Sequence, residues 1–343
     1  MARRRSVLYV AEPQSLRNRL IGLARWEGAR FRSVGAYFRL SLGTVFDVHG
    51  VAPADFFANP GRAASYDIVV VMSTDIRRKK RHYAERLAAI TGLPMLKVLF
   101  DAGDIPGEIP PDKTLDVFDV FFKREPFRDR DRYPISARNK AKMRATMLPC
   151  LSVRPSRFRN LATIDTAAYG NRLPNPAPAT DVFFLGGATS PRRLEIVRTL
   201  RAQPFDFSGG LHPGLRGLEV EPAISSPRLF QGGFSAKARN ARINLALEGR
   251  GPFTFRHLDF WCLCCFMLSP PEIAELETPL PYVDGRHYVS FNSLDDLVDK
   301  CRYYLVHDTE RTAIAAAGRQ LFEEHYSFDR HGAAIAAAID GQG

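Results

Sequence analysis

The chain has 343 residues, of which 45% are hydrophobic and 25% charged, a composition typical of a folded protein with room for two ordinary domains. No run reaches the roughly 18 to 20 apolar residues of a membrane-spanning helix, so none is predicted. The formal net charge is +11, and the excess lies in one half: residues 1–150 carry 27 Lys and Arg against 16 Asp and Glu, whereas residues 151–343 carry 21 of each. We therefore expect the first half to face an anionic partner.

The chain begins with three arginines and a short apolar run, residues 7–11, which Glu12 and Pro13 end before a secretory signal could form. We interpret the run as a first β-strand and expect a cytoplasmic protein. The five cysteines agree with this interpretation because they lack the paired spacing of zinc ligands. Buried, reduced thiols are the expectation.

A pattern of alternating strands and helices extends from residue 7 to about residue 150. The continuous apolar run at residues 67–72 is typical of a parallel strand that is covered on both faces. The predicted strands are residues 7–11, 67–72, 94–100 and 117–122, and the predicted helices are residues 15–27 and 77–91. Strands that alternate with helices predict βαβ units and a parallel sheet.

A proline-rich stretch, residues 154–179, interrupts this pattern and is interpreted as an interdomain linker. The pattern then restarts, with strands at residues 181–185, 205–208, 241–247 and 266–269 and helices at residues 192–202, 254–263, 294–305, 310–325 and 330–339. The sequence therefore predicts an α/β protein with two Rossmann-like, doubly wound domains that face a cleft. We assign residues 1–153 to the first domain, residues 180–325 to the second, and residues 326–343 to a C-terminal helix, with the C-terminal helices packing back across the domains.

The most informative stretch is residues 237–269, in which a strand leads through a glycine-containing loop with Gly251 into a helix that Thr254 can cap. The unpaired N–H groups and the dipole of such a helix form an anion site, and the glycines let a phosphate come close. Arg256 adds a positive charge in the first turn, and Asp259 follows one turn later on the same face, where it could accept hydrogen bonds from ribose. An ordinary capped helix with an Arg256–Asp259 pair explains these residues equally well.

Residues 181–330 resemble the donor domain of GT-B glycosyltransferases of the group 1 type, and are most similar to the branch with the spore-maturation glycosyltransferase-like proteins. In that branch Arg-x-(aromatic or aliphatic)-Glu is followed by a small apolar helix, Cys-Gly, and a short strand that ends in Ser or Thr. In this chain the segment runs from Arg256 through Asp259 to Ser269. The resemblance implies that Asp259 binds ribose and that Glu248 lies near the sugar. Three departures are Asp for Glu, Cys264 for Gly, and a longer gap between Glu248 and Asp259.

The same resemblance implies further donor-binding residues, because in such enzymes the first turn of the donor domain faces the diphosphate. Basic side chains can neutralise the departing nucleoside diphosphate where other enzymes use a metal, and Lys237 and Arg242 are our candidates. The donor-binding predictions are Gly187, Arg192, Lys237, Arg242, Gly251, Thr254, Phe255, Arg256 and Asp259. No Asp-x-Asp motif lies in a suitable loop, so neither a metal nor another cofactor is expected.

The first domain resembles the acceptor half of these enzymes only in its pattern. Asp101, at the end of a buried strand, is the catalytic prediction on this side, with Asp104 and His49 as alternatives by position. Residues 77–81 form one basic cluster, and residues 120–145 form another with nine basic side chains against three acidic ones. Each cluster is explained either by a solvated face with local ion pairs or by a surface for an anionic acceptor or acidic phospholipid headgroups.

The leading hypothesis is transfer of a sugar from a nucleotide-diphosphate sugar to an acceptor hydroxyl, with Glu248 and Asp101 as catalytic residues. The resemblance implies retention at the anomeric carbon and a part in cell-surface polysaccharide or glycoconjugate synthesis. The acceptor is expected to be anionic or lipid-linked, and peripheral contact with the inner face of the membrane is an option. One alternative is a catalytically inactive GT-B module that binds sugar nucleotides. The other is a nucleic-acid-binding protein, which a pI near 9.6 favours but the lack of a recognisable motif disfavours, so no nucleic acid partner is expected.

Overall fold

The structure, a computed structural model, describes residues 4–11, 34–77, 80–153, 177–214 and 218–341. The predicted helix at residues 15–27 and most of the predicted linker lie outside the described residues. The described chain forms two sheets of parallel strands with helices packed against them. The predicted α/β class with two Rossmann-like domains is therefore confirmed.

The first sheet has six parallel strands in the order β2-β1-β3-β4-β5-β6. Its strands are β1 (Ser6–Val10), β2 (Asp47–Val51), β3 (Ile68–Met72), β4 (Leu96–Asp101), β5 (Val120–Arg124) and β6 (Met143–Thr146). The chain moves from β1 to one side and then returns to β3 on the other, which opens a crevice beyond the carboxyl ends of these strands.

Short helices connect the strands of the first sheet. They are α1 (Val34–Val45), α2 (Pro53–Ala58), α3 (Ser73–Arg77), α4 (Tyr83–Thr91), α5 (Asp112–Leu115) and α6 (Ala137–Lys142), with 3-10 turns at Pro60–Ser65, Lys80–His82 and Arg130–Arg132. The single helix predicted at residues 77–91 is wrong, because α3 ends at Arg77 and α4 begins only at Tyr83. Gly92 ends α4 as predicted, with its N–H donating to the carbonyl of Ala88.

The second sheet has five parallel strands in the order β11-β10-β9-β7-β8. Its strands are β7 (Thr180–Gly187), β8 (Phe207–His212), β9 (Ala241–Leu245), β10 (Met267–Ser269) and β11 (Val289–Ser290). The helices are α7 (Pro191–Arg201), α8 (Gln231–Arg239), α9 (Phe255–Cys262), α10 (Leu294–Val306), α11 (Asp308–His325) and α12 (Phe328–Asp340), with 3-10 turns at Pro222–Ile224 and Pro271–Glu275. Across the described ranges, no helix combines the length and the hydropathy that a bilayer crossing needs.

Helix α9 ends in a turn that normally requires glycine. Cys264 has a φ of 55°, its N–H donates to the carbonyl of Trp261 at 3.1 Å, and the Cys265 N–H donates to the carbonyl of Phe260 at 2.8 Å. This is the Schellman pattern, in which the residue with positive φ is usually Gly because a side chain there costs about 1 to 2 kcal/mol. The geometry explains the Gly that the resembling enzymes carry at this position.

Helix α12 returns to the first domain and packs along α1, as predicted for the C-terminal helices. The contact is built around His331, whose Nδ1 lies 2.9 Å from the Ser41 hydroxyl and whose Nε2 lies 2.8 Å from the Thr146 hydroxyl. Gly332 allows the close approach, because a Cβ there would overlap the carbonyl oxygen of Ser41. The first domain is therefore completed by the last helix of the chain.

Two buried histidines should make the free energy of unfolding sensitive to acid. Burial lowers the pKa of His331 to about 3 and that of His257 to about 3. Unfolded histidine binds a proton near pH 6.5, about three units higher, so stability is complete above that pH and is lost as the pH falls. Each histidine then contributes a slope of about 1.4 kcal/mol per pH unit.

We expect denaturant titrations between about pH 7 and pH 5 to show that the free energy of unfolding falls less steeply with pH for His331→Gln than for the wild type. The difference between the two slopes should equal the contribution of one histidine. Equal slopes for the wild type and His331→Gln would contradict the expectation.

Candidate active site at the carboxyl edge of the second sheet

The carboxyl ends of β7, β9 and β10 are neighbours at one edge of the second sheet. Strand β7 ends at Gly187, the loop after β9 carries Glu248 and Gly251, and the 3-10 turn after β10 carries Glu272. Ligands of open parallel sheets bind at this edge. The candidate site is therefore this edge together with the loops of the first domain that face it.

Two arginine side chains occupy the end of β7. Arg193 of α7 donates from Nη1 to the carbonyl of Gly187 at 2.8 Å and from Nη2 to the carbonyl of Leu247 at 2.9 Å. Arg256 of α9 donates from Nε and Nη2 to the carbonyl of Leu185, at 3.0 and 2.7 Å. Both guanidinium groups are thus held in place by backbone carbonyls, which carry no net charge.

The two guanidinium groups lie against the same glycine, because a Cβ on Gly186 would be 2.7 Å from Arg256 Nη2 and 3.2 Å from Arg193 Nη1. They also flank the ring of Phe184, at 5.3 and 5.5 Å from its centroid. Neither forms an ion pair with a carboxylate within the described part of the chain. Burial lowers the pKa of Arg193 to about 9, with a further contribution from Arg256, and burial lowers the pKa of Arg256 to about 10. Two adjacent cations that form no ion pair, Arg193 buried and Arg256 half-buried, define a candidate anion site.

Several polar atoms at this edge are buried without a hydrogen-bond partner among the described residues. They are Oγ1 of Thr189, Nε of Arg193, Oε2 of Glu248 and Oε2 of Glu272. The other oxygen of Glu248 is 3.4 Å from the hydroxyl of Ser190, the N-cap of α7. Since buried polar atoms are nearly always hydrogen-bonded, such a group of unpaired atoms indicates a place for water or a polar ligand.

The start of α9 is held by the predicted cap. The Thr254 N–H donates to Nδ1 of His257 at 3.0 Å, and Nε2 of His257 lies 3.0 Å from the hydroxyl of Ser269 at the end of β10. This arrangement is a capping box with histidine in the usual place of glutamate. Phe255, the first helical residue, is half-buried against the hydrophobic core.

Asp259 lies one turn further along α9, and its hydrogen bonds go to residues other than the two arginines. Its Oδ1 accepts hydrogen bonds from the Ser152 N–H at 2.7 Å and from the Cys150 thiol at 3.4 Å, and its Oδ2 accepts one from Gln231 Nε2 at 3.2 Å. Burial raises the pKa of Asp259, and these donors act against that shift. We call residues 150–152, which leave the first domain after β6, the crossing segment.

The remaining predicted donor-binding residues have different positions. Arg242 lies near the start of β9, at the opposite edge of the sheet, with Nη1 3.4 Å from Asp181 Oδ1. Lys237 is exposed in the last turn of α8. Arg192 lies at the rim of the site, 3.2 Å from Glu272 Oε1. The structure therefore brings Gly187, Arg192, Gly251, Thr254, Phe255 and Arg256 to this edge, and does not bring Lys237 or Arg242 there.

Of the two arginines at the start of α7, the sequence interpretation selected Arg192 for the donor site and not Arg193. In α7 the buried residues are Arg193, Ile196, Val197 and Leu200, which are spaced as one face of a helix. An arginine in register with an apolar stripe must be buried, so this periodicity was the available signal. The adjacent Arg192 lies outside the stripe.

In the first domain, Asp101 ends β4 and is completely buried. Lys123 Nζ lies 3.2 Å from its Oδ2, Arg77 Nη2 lies 3.4 Å from its Oδ1, and the Ser73 hydroxyl donates to the same oxygen. Burial lowers the pKa of Lys123, and Asp101 opposes the change. His49 lies in the edge strand β2, 3.2 Å from Asp47.

The loop after β4 touches the glycine loop of the second domain. A Cβ on Gly251 would overlap the carbonyl oxygen of Asp104, and Arg250 Nη1 lies 3.6 Å from Asp104 Oδ1. Of the carboxylates proposed for the first domain, Asp104 is thus the one at the boundary with the second. No three His, Cys, Asp or Glu side chains of the described residues are grouped so that they could bind a metal ion.

The basic run of the first domain contributes to a second contact, the interdomain bridge, formed by residues 126–132 and 274–277. Backbone hydrogen bonds of 2.7 and 2.8 Å pair these segments in antiparallel fashion around Phe127 and Leu276. Ion pairs join Arg130 to Glu277 and Arg132 to Glu275. These two arginines are therefore neither paired locally on a solvated face nor free to bind an anionic partner.

Comparisons with known proteins agree with this architecture. Residues 192–337 match the sequence model of the family described as glycosyl transferase-like. Among curated proteins, none matches the chain in sequence.

Solved structures of other proteins share the fold at low sequence identity. HepE of Anabaena with UDP-glucose is 10% identical, with a TM-score of 0.58 over 98% of this chain and 100% of that one. Sucrose-phosphate synthase of Thermosynechococcus elongatus is 9% identical (TM-score 0.55, 98% and 99%), and a DNA-modifying β-glucosyltransferase is 11% identical (TM-score 0.52, 98% and 99%).

The fold shared with these structures is the two-domain GT-B fold. The second domain also matches the glycosyl transferase-like family model, and the resemblance to GT-B glycosyltransferases stated from the sequence is confirmed at that level. The narrower spore-maturation branch stays a prediction.

The contact at Gly251 can be tested by adding a methyl group. Gly251→Ala should push the glycine loop away from the Asp104 carbonyl and lower stability by about 1 to 3 kcal/mol, as overpacking does. Thermal unfolding measures the effect. Gly232→Ala is the control, because no heavy atom lies within 4 Å of its added Cβ. Equal melting temperatures for Gly251→Ala and the wild type would show that the loops are apart in solution.

Proposed function

We propose that the protein transfers a sugar from a nucleoside-diphosphate sugar to an acceptor hydroxyl group held between the two domains. The observation that carries the proposal is the pair of guanidinium groups of Arg193 and Arg256, which lie against Gly186 without a carboxylate partner. A diphosphate has the negative charge and the pairs of oxygens to which a planar guanidinium group can donate two parallel hydrogen bonds. The solved HepE structure with UDP-glucose, which has the same fold, supports a donor of this kind.

Transfer breaks the bond between the anomeric carbon and the diphosphate oxygen, so negative charge grows on the leaving group. Guanidinium groups that backbone carbonyls already hold in place stabilise this charge without rearranging. We therefore propose a metal-independent reaction. Glu248, whose Oε2 has no partner in the described structure, is proposed to accept a hydrogen bond from a donor-sugar hydroxyl.

Replacing either arginine should weaken nucleotide binding. Arg193→Met and Arg256→Met keep the length of the side chain and remove the charge, so we expect the affinity for a nucleoside diphosphate to fall about tenfold or more for each. Calorimetry with UDP, GDP and ADP measures this effect, and EDTA should leave it unchanged. Thermal unfolding of both variants separates lost binding from misfolding, because the substitutions also leave the carbonyls of Gly187, Leu247 and Leu185 without these donors.

Arg242→Met is the matched control, because Arg242 lies at the opposite edge of the sheet. It should bind nucleotides like the wild type. If Arg242→Met weakens binding while Arg193→Met does not, the donor site predicted from the sequence is right and the arginine pair is not the diphosphate site.

The acceptor is proposed to bind at the carboxyl edge of the first domain. The arginines of the interdomain bridge are engaged there, whereas Arg77 ends α3, the helix that follows β3 at the same edge. Arg77 is anchored to Asp101 and Ser73, and its side chain is still 45% exposed. We propose that the basic cluster at residues 77–81 attracts an anionic or lipid-linked acceptor, with peripheral contact to a membrane surface.

Vesicle co-sedimentation tests this placement. The protein should bind phosphatidylglycerol vesicles and not phosphatidylcholine vesicles, and Arg77→Gln with Arg81→Gln should lower the partition coefficient about 30-fold at about 1 kcal/mol per residue. Arg302→Gln, an exposed change in the second domain, is the control. Equal binding to both lipids would contradict the proposal.

The resemblance, and not the geometry, supports two further parts of the proposal: retention at the anomeric carbon and a part in cell-surface glycoconjugate synthesis. A role for Asp101 is proposed from its position in the first domain. Asp101 would act by keeping Arg77 and the following loop in place, because its carboxylate is buried and paired with Lys123. NMR of the first-formed product decides between retention and inversion.

A further inference from the structure

The carboxylate of Asp259 is engaged by the protein itself, at the point where the chain leaves the first domain. Its three donors are the Ser152 N–H, the Cys150 thiol and Gln231 Nε2. The residue is 2% exposed. A ribose hydroxyl would have to compete with these donors, because Oδ1 already accepts two hydrogen bonds and Oδ2 accepts one.

These donors tie the crossing segment to both parts of the molecule. The Ser152 hydroxyl accepts a hydrogen bond from Gln231 Nε2 at 3.0 Å and lies 3.3 Å from the hydroxyl of Ser235, both residues of α8. The Cys150 N–H donates to the Tyr326 hydroxyl at 2.7 Å, just before α12 begins. Asp259 is thus one member of a buried polar network that surrounds the crossing segment.

We infer that Asp259 positions the two domains by fastening the crossing segment, and that its carboxylate does not bind the ribose of the donor. The inference rests on the proposed function, because it reassigns a residue of the donor site. Aspartate is one methylene shorter than the glutamate that the resemblance leads one to expect. Its carboxylate therefore stays close to α9, where the backbone of the crossing segment reaches it.

The two roles differ in what the loss of the carboxylate leaves behind. If Asp259 fastens the crossing segment, its removal leaves the buried Ser152 N–H without a partner, and folding is weakened. If it binds ribose, its removal leaves a ligand hydroxyl that water can satisfy, and only binding is weakened. Stability and ribose recognition can therefore be measured separately.

Stability is measured by thermal and denaturant unfolding of Asp259→Asn and Asp259→Glu. We expect both to melt several degrees below the wild type, the first through a lost acceptor and the second through overpacking of a buried site. Asp296→Asn is the control, because Asp296 also accepts a backbone N–H, at 2.8 Å, but lies near the start of α10. In a double-mutant cycle, Asp259→Asn and Gln231→Met should be non-additive. Unchanged melting temperatures and additive effects would overturn the inference.

Ribose recognition is measured by calorimetry with the best-binding nucleoside diphosphate of UDP, GDP and ADP, in its ribo and 2′,3′-dideoxy forms. We expect the ratio of the two affinities in Asp259→Asn to match the wild-type ratio within about twofold. In Asp259→Asn the domains should be displaced, so kcat should fall about tenfold or more while the KM for the donor stays within about twofold of the wild-type value. The control, Asp296→Asn, should not show this difference between kcat and KM.

The inference would be overturned if the wild type bound the ribo form about tenfold or more tightly than the dideoxy form and Asp259→Asn bound the two forms equally. That result would show that Asp259 binds the ribose. If the wild type binds none of the nucleotides, the proposed function is wrong. The stability measurements then decide by themselves whether Asp259 fastens the crossing segment.

Discussion

Two parallel sheets can share one site only if the edges at which their strands end are held toward each other, and in this chain the crossing segment provides that constraint. Cys150 and Ser152 are 3% and 2% exposed, and their backbone N–H groups donate to Tyr326 and Asp259. An N–H group in such surroundings must find a partner, because water cannot reach it. The relative position of the domains therefore depends on a few buried hydrogen bonds, and the arginines of one edge and the loops of the other meet because of them.

The distribution of charge shows why a net charge does not locate a ligand. The positive excess lies in the first 150 residues, yet Lys123 is buried against Asp101, and Arg130 and Arg132 join the interdomain bridge. Arg193, which is buried, and Arg256, which is half-buried, form no ion pair with a carboxylate of the described residues, and both belong to the neutral half. A cation attracts a ligand only to the extent that the protein leaves it uncompensated, and that depends on its neighbours in space.

Much of the fold could be predicted because the buried strands carry their own evidence. Continuous apolar runs located β3 and β7, which lie inside their sheets with both faces covered. Strands β2 and β6 were missed because they are edge strands with polar residues, such as His49 and Arg144, and show no such run. The charged residues 77–91 have helical composition, but the chain turns within them, so composition overestimated the length of the helix.

The candidate site was less accessible to sequence analysis, because its decisive contacts join distant residues. Thr254 was found as a helix cap from local chemistry alone. Two partners of Asp259, Ser152 and Cys150, lie 107 and 109 positions away in the chain, and no local sequence pattern predicts these contacts. Arg193 was accessible in principle through the apolar stripe of α7, whereas the burial of Asp101 depends on Lys123 in the neighbouring strand.

The contacts between the domains differ in strength, and this difference decides where the geometry of the site is set. The ion pairs of the interdomain bridge are partly exposed, with Arg132 at 44% and Glu275 at 51%, and exposed pairs contribute about 0 to 1 kcal/mol. The network around the crossing segment is buried, so breaking it leaves polar groups without water or partner, at about 1 to 3 kcal/mol for each group. A ligand can therefore change the bridge at little cost in free energy. Any movement of the crossing segment, in contrast, must replace its buried hydrogen bonds to both Asp259 and Tyr326. The crossing segment lies outside the anion site, and moving the domains there costs more than moving them at the bridge.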